Sequence, residues 1–190
     1  MPSSKWVPVL RERLSLRRLE HSLRVAENAE WLATRWNLDS QKCYLAGLLH
    51  DIARDYPPEE LLRLAWAYGI VWAELEANFP VLLHGSVGAE IIKRDLGLTD
   101  PELLEAVRLH TTGDYPLSPT AKVLFLADYI EPGRNFPGVT KARQAAELSL
   151  DHGVAVATQQ ILAHLLTVGQ AIDPKTINLY NYYVNKGFYR

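Results

Sequence analysis

The sequence predicts an all-α fold, and three observations carry that prediction. Apolar residues recur at three- and four-residue spacing along most of the chain, as helices with one buried face require. Acid or hydroxyl residues, several of them beside a proline, stand just ahead of these runs, where a helix needs a cap. Alternating apolar–polar stretches, the mark of half-buried strands, are almost absent.

The elements follow in order. Leu16 to Trp36 is one long helix candidate, with Leu19, Leu23, Ala26, Ala29 and Ala33 along one side. Asp39 can cap the next helix, which runs through Leu45, Leu48 and Leu49 to His50-Asp51. Pro57-Pro58-Glu59-Glu60 has the composition of a first helical turn. A helix over Leu83 to Leu96 should stop at Gly97, and Thr99-Asp100-Pro101-Glu102 reads as a capping box ahead of Leu103–His110. Ser118-Pro119 starts the helix that carries Asp128. Glu131-Pro132-Gly133 ends it, because proline cannot continue a helix and glycine permits the turn. Helices then follow from about Thr140, Val154 and Asp173, and the loops near residues 111–119 and 131–138 are long enough to carry function.

The 190 residues match one domain on the usual scale of roughly 100–200 residues, and no linker, repeat or low-complexity tract divides them. A formal net charge of −2 supplies no global field for nucleic acid or an anionic membrane. The single cysteine, Cys43, excludes an internal disulfide and fits a reducing, cytoplasmic setting. Its neighbours Tyr44, Leu45 and Ala46 mark a buried thiol rather than a nucleophile. Arg11, Glu12 and Arg13 interrupt the start before a secretory core could form. His152 to Ile172 lacks charged residues, but Gln159, Gln160, His164, Thr167 and Gln170 are costly in lipid, so a core helix with one polar side is the reading.

Four of the six histidines stand in settings that suggest chemistry. His50-Asp51 closes a buried face. A His-Asp pair arises by chance in roughly one chain in four, so the context matters more than the dipeptide. Burying an imidazole and a carboxylate unpaired is expensive, and a cation satisfies both. His21 has Arg18 and Arg24 one turn away on either side. A neutral, metal-bound ring beside phosphate-binding arginines avoids repulsion between three cations. Asp128 interrupts the apolar stretch Val123–Ile130 and is either ion-paired with a neighbouring helix or a metal ligand. His84 and His110 lie at the ends of helical segments and fit structural or ligating roles alike. Thr111-Thr112-Gly113 adds hydroxyls suited to an oxyanion. His152 and His164 read as ordinary polar positions. Histidine and carboxylate without thiolate favour iron, manganese, zinc or nickel in an open site over a closed structural zinc.

The order His21, His50-Asp51, Asp128 resembles that of HD-domain metal-dependent phosphohydrolases. The strings His21-Ser22-Leu23-Arg24-Val25-Ala26-Glu27, His50-Asp51-Ile52-Ala53-Arg54-Asp55, His110-Thr111-Thr112-Gly113 and Ala127-Asp128-Tyr129-Ile130-Glu131-Pro132 are similar to the YqeK-type symmetrical bis(5′-nucleosyl)-tetraphosphatases. Arg134 and Phe136-Pro137-Gly138 continue the likeness, which runs from about residue 15 to 175. It implies one HD domain over residues 1–190, a helical bundle with a metal site between helices and a C-terminal helix completing the nucleotide pocket. The implied reaction is metal-assisted cleavage of diadenosine tetraphosphate to two ADP. His21, His50, Asp51 and Asp128 would hold the primary metal, commonly iron, in a site of one or two ions. His84 and His110 would complete a second position or bind phosphate.

The same resemblance makes Arg18, Arg24 and Arg134 phosphate contacts and adds Thr111, Tyr129 and Ile130 to the substrate site. Gln170-Ala171-Ile172-Asp173-Pro174-Lys175 would close over the nucleoside. Asp173-Pro174 also reads directly as a helix start, whose free N–H groups suit an anion. Arg54 stands where lysine is expected; it keeps the charge but changes the donor geometry. Gly133 replaces a more usual polar residue. Asp51 and Arg54 are catalytic candidates, and Asp55 would take a proton or orient His50. The alternatives are another HD phosphohydrolase (a nucleotidase or phosphodiesterase), a non-catalytic nucleotide sensor, and a helical interaction module without metal. Tyr180, Tyr182, Tyr183 and Phe188 fit either the core or a homodimer face.

Overall fold

A computed structural model describes residues 5–189. Its helices are α1 (Trp6–Arg13), α2 (Leu16–Arg35), α3 (Ser40–Leu49), α4 (Pro58–Tyr68), α5 (Glu74–Asn78), α6 (His84–Arg94), α7 (Pro101–Leu109), α8 (Pro119–Ile130), α9 (Val139–Ala146), α10 (Leu150–Thr167) and α11 (Pro174–Asn185). A 3-10 turn at Pro80–Leu83 leads into α6. No strand occurs among the described residues.

Helix α8 is the axis of the bundle. It packs against α2, α3, α7, α9 and α10, and Val123, Leu124, Phe125, Leu126 and Ala127 are all buried. A helix with so long an unbroken apolar run has to be enclosed in this way. Two close crossings then bring the site-bearing segments together. At Gly47 in α3, a Cβ would lie 2.8 Å from Ala26 Cα in α2. At Gly85 in α6, it would lie 2.9 Å from the carbonyl oxygens of Val107 and Arg108 in α7. Only a residue without a side chain lets these backbones approach so closely.

Most starts obey the expected chemistry. Asp39 accepts from the Lys42 N–H, Ser118 from Ala121 and Asp173 from Lys175. Three boundaries differ from expectation. Asp100 alone caps α7, accepting from Glu102 and Leu103 N–H, while the Glu102 carboxylate instead meets Lys42 and Thr120. Pro101 at the first helical position places the cap at residue 100 rather than at Thr99. Helix α6 starts at His84, because the 3-10 turn takes the preceding residues. Helix α10 starts at Leu150, not near Val154, because Ser149 caps it through the His152 N–H.

Short α1 was not expected: its charged residues mask a pattern that buries only Leu10. The C-terminal aromatics turn largely inward. Tyr183 is fully buried and donates to Asp151 Oδ1 at 2.8 Å, and Tyr182 stacks on Tyr115. No helix among the described residues is long and apolar enough to cross a membrane.

Candidate metal centre

Five segments converge. Helix α2 brings His21, the end of α3 brings His50 and Asp51, the start of α6 brings His84, the end of α7 brings His110 and α8 brings Asp128. His50 and His110 are the residues at which α3 and α7 end, and His84 follows the 3-10 turn. Each ring uses the same local device. His50 Nδ1 lies 2.7 Å from the Gly47 carbonyl oxygen, His110 Nδ1 lies 2.7 Å from that of Val107, and His84 Nδ1 meets that of Val81. A carbonyl only accepts, so the proton of the neutral ring belongs on Nδ1 and each Nε2 is left as a donor atom for the interior.

Asp51 is the hub. Its Oδ2 is 2.8 Å from Arg18 Nη1, 3.3 Å from His50 Nε2 and 3.8 Å from His21 Nε2. Its Oδ1 is 3.3 Å from His84 Nε2 and 3.6 Å from His110 Nε2. Asp128 Oδ1 lies 3.0 Å from His21 Nε2 and 2.7 Å from Arg134 Nη2. Thr111 Oγ1 reaches the Nε2 atoms of His84 and His110 at 3.3 and 3.1 Å.

This donor set fits a divalent cation. The Nε2 atoms of His21 and His50 are buried without a hydrogen-bond partner. The Nε2 atoms of His84 and His110 face each other at 3.0 Å. Two acceptors at that distance need a positive charge between them. Three overlapping groups (His21, His50 and Asp51; His50, His110 and Asp128; Asp51, His84 and His110) each gather their ligand atoms within 4.8 Å.

The electrostatics agree. Burial works against the anion at Asp51, but the His50 charge and the surrounding imidazoles hold its carboxyl well below the usual range. Burial opposes ionisation at Asp128 too and is outweighed by His21 3.0 Å away, by His50 and by Arg134. Burial lowers His84, which keeps it neutral and able to ligate. Burial would also lower His50, but the adjacent Asp51 charge raises it, so proton and metal compete for its Nε2.

Glu131 is a participant that the sequence marked only as a helix end. It is buried, and its Oε1 lies 3.2 Å from His21 Nδ1. Its Oε2 accepts from Arg24 Nε at 2.8 Å and from the Gly133 N–H. Burial opposes its charge, but the Arg24 bond holds the carboxyl below its ordinary value. The available signal was a carboxylate three residues beyond Asp128, at the end of the same apolar helix.

Three cavities lie together here, two of them lined by residues of the cluster and one joined to both through Thr111. A polar one of about 210 Å³ is lined by Arg18, Asp51, Arg54, His84, His110, Thr111, Asp128 and Arg134, with Val81 and Leu82. A second, of about 350 Å³, is lined by Gln170, Ala171 and Asp173 together with Phe79, Thr111 and Thr176. A third, of about 670 Å³, includes Tyr129, Phe136, Gln160 and His164.

Not every expected contact lines these cavities. Arg24, Asp55, Ile130, Ile172, Pro174 and Lys175 line none of the three. Arg24 backs Glu131, and Asp55 Oδ2 accepts the Ser15 N–H at 2.8 Å where α2 begins. Ile130 is buried and its carbonyl accepts from Arg143. Lys175 Nζ lies 3.6 Å from Glu76 Oε1. The start of α11 is not an open anion site, because the Asp173 carboxylate itself accepts the Lys175 N–H. Cys43 is buried, which pushes its thiol up to about 11 and leaves it inert at neutral pH.

Comparison with known proteins finds relatives over most of the chain. The HD domain family model matches residues 18–133. The chain is 34% identical over 176 residues to the symmetrical bis(5′-nucleosyl)-tetraphosphatase of Bacillus subtilis (strain 168), covering 93% of this chain and 94% of that one. It is 37% identical over 175 residues to the protein of the same name from Staphylococcus aureus (strain NCTC 8325 / PS 47), covering 91% and 90%. A crystal structure from Clostridium acetobutylicum, described as a "predicted HD superfamily hydrolase involved in NAD metabolism", superposes with a TM-score of 0.92 at 32% identity, covering 96% of this chain and 97% of that one.

Proposed function

Because this chain belongs to the HD-domain family, in the branch of the symmetrical bis(5′-nucleosyl)-tetraphosphatases, we propose that it hydrolyses diadenosine tetraphosphate at the middle of the phosphate chain and releases two ADP. The observation that carries this reading is Asp51. Its two oxygens divide between His21 with His50 on one side and His84 with His110 on the other, beside a cavity lined by Arg18, Arg54 and Arg134. His21, His50, Asp51 and Asp128 would hold the primary divalent ion. His84 and His110, with the other Asp51 oxygen, would hold a second or meet phosphate. Nitrogen and oxygen donors suit iron, with manganese, zinc and nickel as the other candidates. When bound, such an ion lowers the pKa of water toward about 7 and so makes hydroxide available at neutral pH.

The remaining work falls to the chain's own side chains. Arg18 and Arg134 each commit a donor to a cluster carboxylate and keep others for phosphate oxygens; Arg54 adds a third guanidinium. Together they offset the charge that develops in an in-line displacement. Thr111 adds a hydroxyl beside His84 and His110. The leaving group is a nucleoside diphosphate, so strong acid catalysis is not required. Asp55 is a positioning residue in this scheme, since it ties down the start of the helix that carries Arg18 and His21. The whole chain reads as one HD unit in which α11 completes the nucleotide pocket through Thr176. A nucleotide substrate and a buried free thiol both fit a cytoplasmic enzyme.

The test is product analysis with iron- or manganese-loaded protein and diadenosine tetraphosphate. ADP alone is expected; ATP with AMP contradicts symmetrical cleavage. Asp51→Ala should abolish turnover while circular dichroism keeps its helical signal. Retained turnover would remove Asp51 from the metal site.

A further inference from the structure

Arg143, on α9, makes three hydrogen bonds that the proposed reaction does not use. Its Nε donates to the Ile130 carbonyl oxygen at 3.1 Å, and its Nη2 donates to those of Glu131 at 2.9 Å and Arg134 at 3.0 Å. Arg143 lines none of the three cavities, whereas Arg134 lines two of them. Both residues lie beyond positions 18–133, which the HD family model matches.

The need for these bonds arises at the end of α8. The last carbonyls of a helix have no partner within it. Here the Ala127 carbonyl is met by the Asn28 amide, that of Asp128 by Arg134 Nε and that of Ile130 by Arg143 Nε. Pro132 carries no N–H that could take up one of them. A tight turn follows, closed by the Arg134 N–H on the Glu131 carbonyl at 2.9 Å. Arg143 Nη2 bonds the carbonyls of residues 131 and 134, the two ends of that turn. A guanidinium holds its donors in one plane at fixed angles, so it fixes both ends relative to each other and to α8. Its own base is firm. Val139, Ala142, Ala145 and Ala146 of α9 are buried, and a Cβ at Gly153 of α10 would lie 3.1 Å from Ala146 Cα.

We infer that Arg143 is a positioning residue for Arg134: it fixes the backbone from which the Arg134 guanidinium folds back onto Asp128. That guanidinium bonds the Asp128 carbonyl at 3.1 Å and Oδ1 at 2.7 Å, and it lines the polar cavity beside His84 and His110. The inference rests on the proposed reaction only in taking Arg134 as a phosphate contact. Without Arg143 the turn is held at one point instead of three, and the Arg134 charge is no longer fixed in the cavity wall. The Glu131 carboxylate is held separately by Arg24. The effect of Arg143 therefore falls on Arg134 rather than on His21.

Two measurements on the full chain separate this role from a merely structural one. In zinc-loaded, isotope-labelled protein, the Arg134 Nε–H resonance (assigned by its loss in Arg134→Ala) reports the bond to the Asp128 carbonyl. Its exchange with solvent should be roughly tenfold faster in Arg143→Met, while the backbone amides of α2 exchange as in the wild type. In manganese-loaded protein, Arg143→Met should lower kcat/KM for diadenosine tetraphosphate roughly tenfold, within the ~100-fold that a misplacement of about 1 Å can cost. In an Arg134→Ala background the same change should cost less than about twofold, because the residue it positions is gone. An equal loss in both backgrounds overturns the inference, as does unchanged Nε–H exchange in Arg143→Met. Arg143→Lys keeps the charge but offers one nitrogen, and it should fall between Arg143→Met and the wild type in both measurements. Wild-type values there would assign the effect to charge at the end of α8 and overturn the inference too. If the wild type cleaves no dinucleotide, the proposed reaction fails on its own, while the Nε–H exchange still decides the role of Arg143.

Discussion

Glu131 shows how much a residue can contribute without touching substrate. Its carboxylate meets His21 Nδ1, takes the Arg24 guanidinium and accepts the Gly133 N–H. It thereby orients the His21 ring and anchors the turn after α8. Glu131→Gln keeps the shape and removes the charge. Metal affinity should fall about 10- to 100-fold, the usual effect of losing such a partner, read by titrating metal into apoprotein. Wild-type affinity in the variant would show that His21 needs no carboxylate behind it. Arg24 belongs to the same group: its place behind Glu131 accounts for a conspicuous arginine that lines none of the three cavities.

Helices meet where a side chain would keep them apart. The α2–α3 crossing at Gly47 decides whether His21 and the His50-Asp51 pair share a centre, and the Gly47 carbonyl also holds the His50 ring. In Gly47→Ala the added methyl meets Ala26 Cα at 2.8 Å, which is backbone that no rotamer change can clear. Overpacking of this kind costs about 1–3 kcal/mol, measurable as a lowered urea midpoint. Metal affinity should fall with it, because the two helices must part. An unchanged midpoint would mean that the crossing has slack. The α6–α7 crossing at Gly85 is built the same way and brings His84 to His110.

Across the whole molecule the donors come from α2, the ends of α3 and α7, the start of α6, and α8. A cation bound there links most of the bundle, and binding to the native state alone adds to its stability. At a hundredfold excess over Kd this is about 2.7 kcal/mol. For a chain of this size that corresponds to a rise of about 5–10 °C in Tm. Scanning calorimetry with manganese and then with a chelator should show the rise and its reversal. Asp51→Asn, which reduces the ligand charge at the hub of both histidine pairs, should lose most of the shift. A shift of full size in that variant would place the ion elsewhere.

What the sequence determined by itself was local chemistry: the helical class, because periodicity and caps are set by neighbours a few residues apart, and the donor types, because His50-Asp51, His21 and Asp128 stand out against apolar runs. Cys43 was equally legible as a buried thiol. Tertiary structure alone decided which faces met. It paired His21 with Glu131, 110 positions away, and split the Asp51 oxygens between two histidine pairs. It also turned Gln160 and His164 of α10 into a cavity wall and filled the start of α11 with its own Asp173 carboxylate. Such outcomes depend on backbone approach and on the competition of each polar group for partners remote in the chain, which no local spacing encodes.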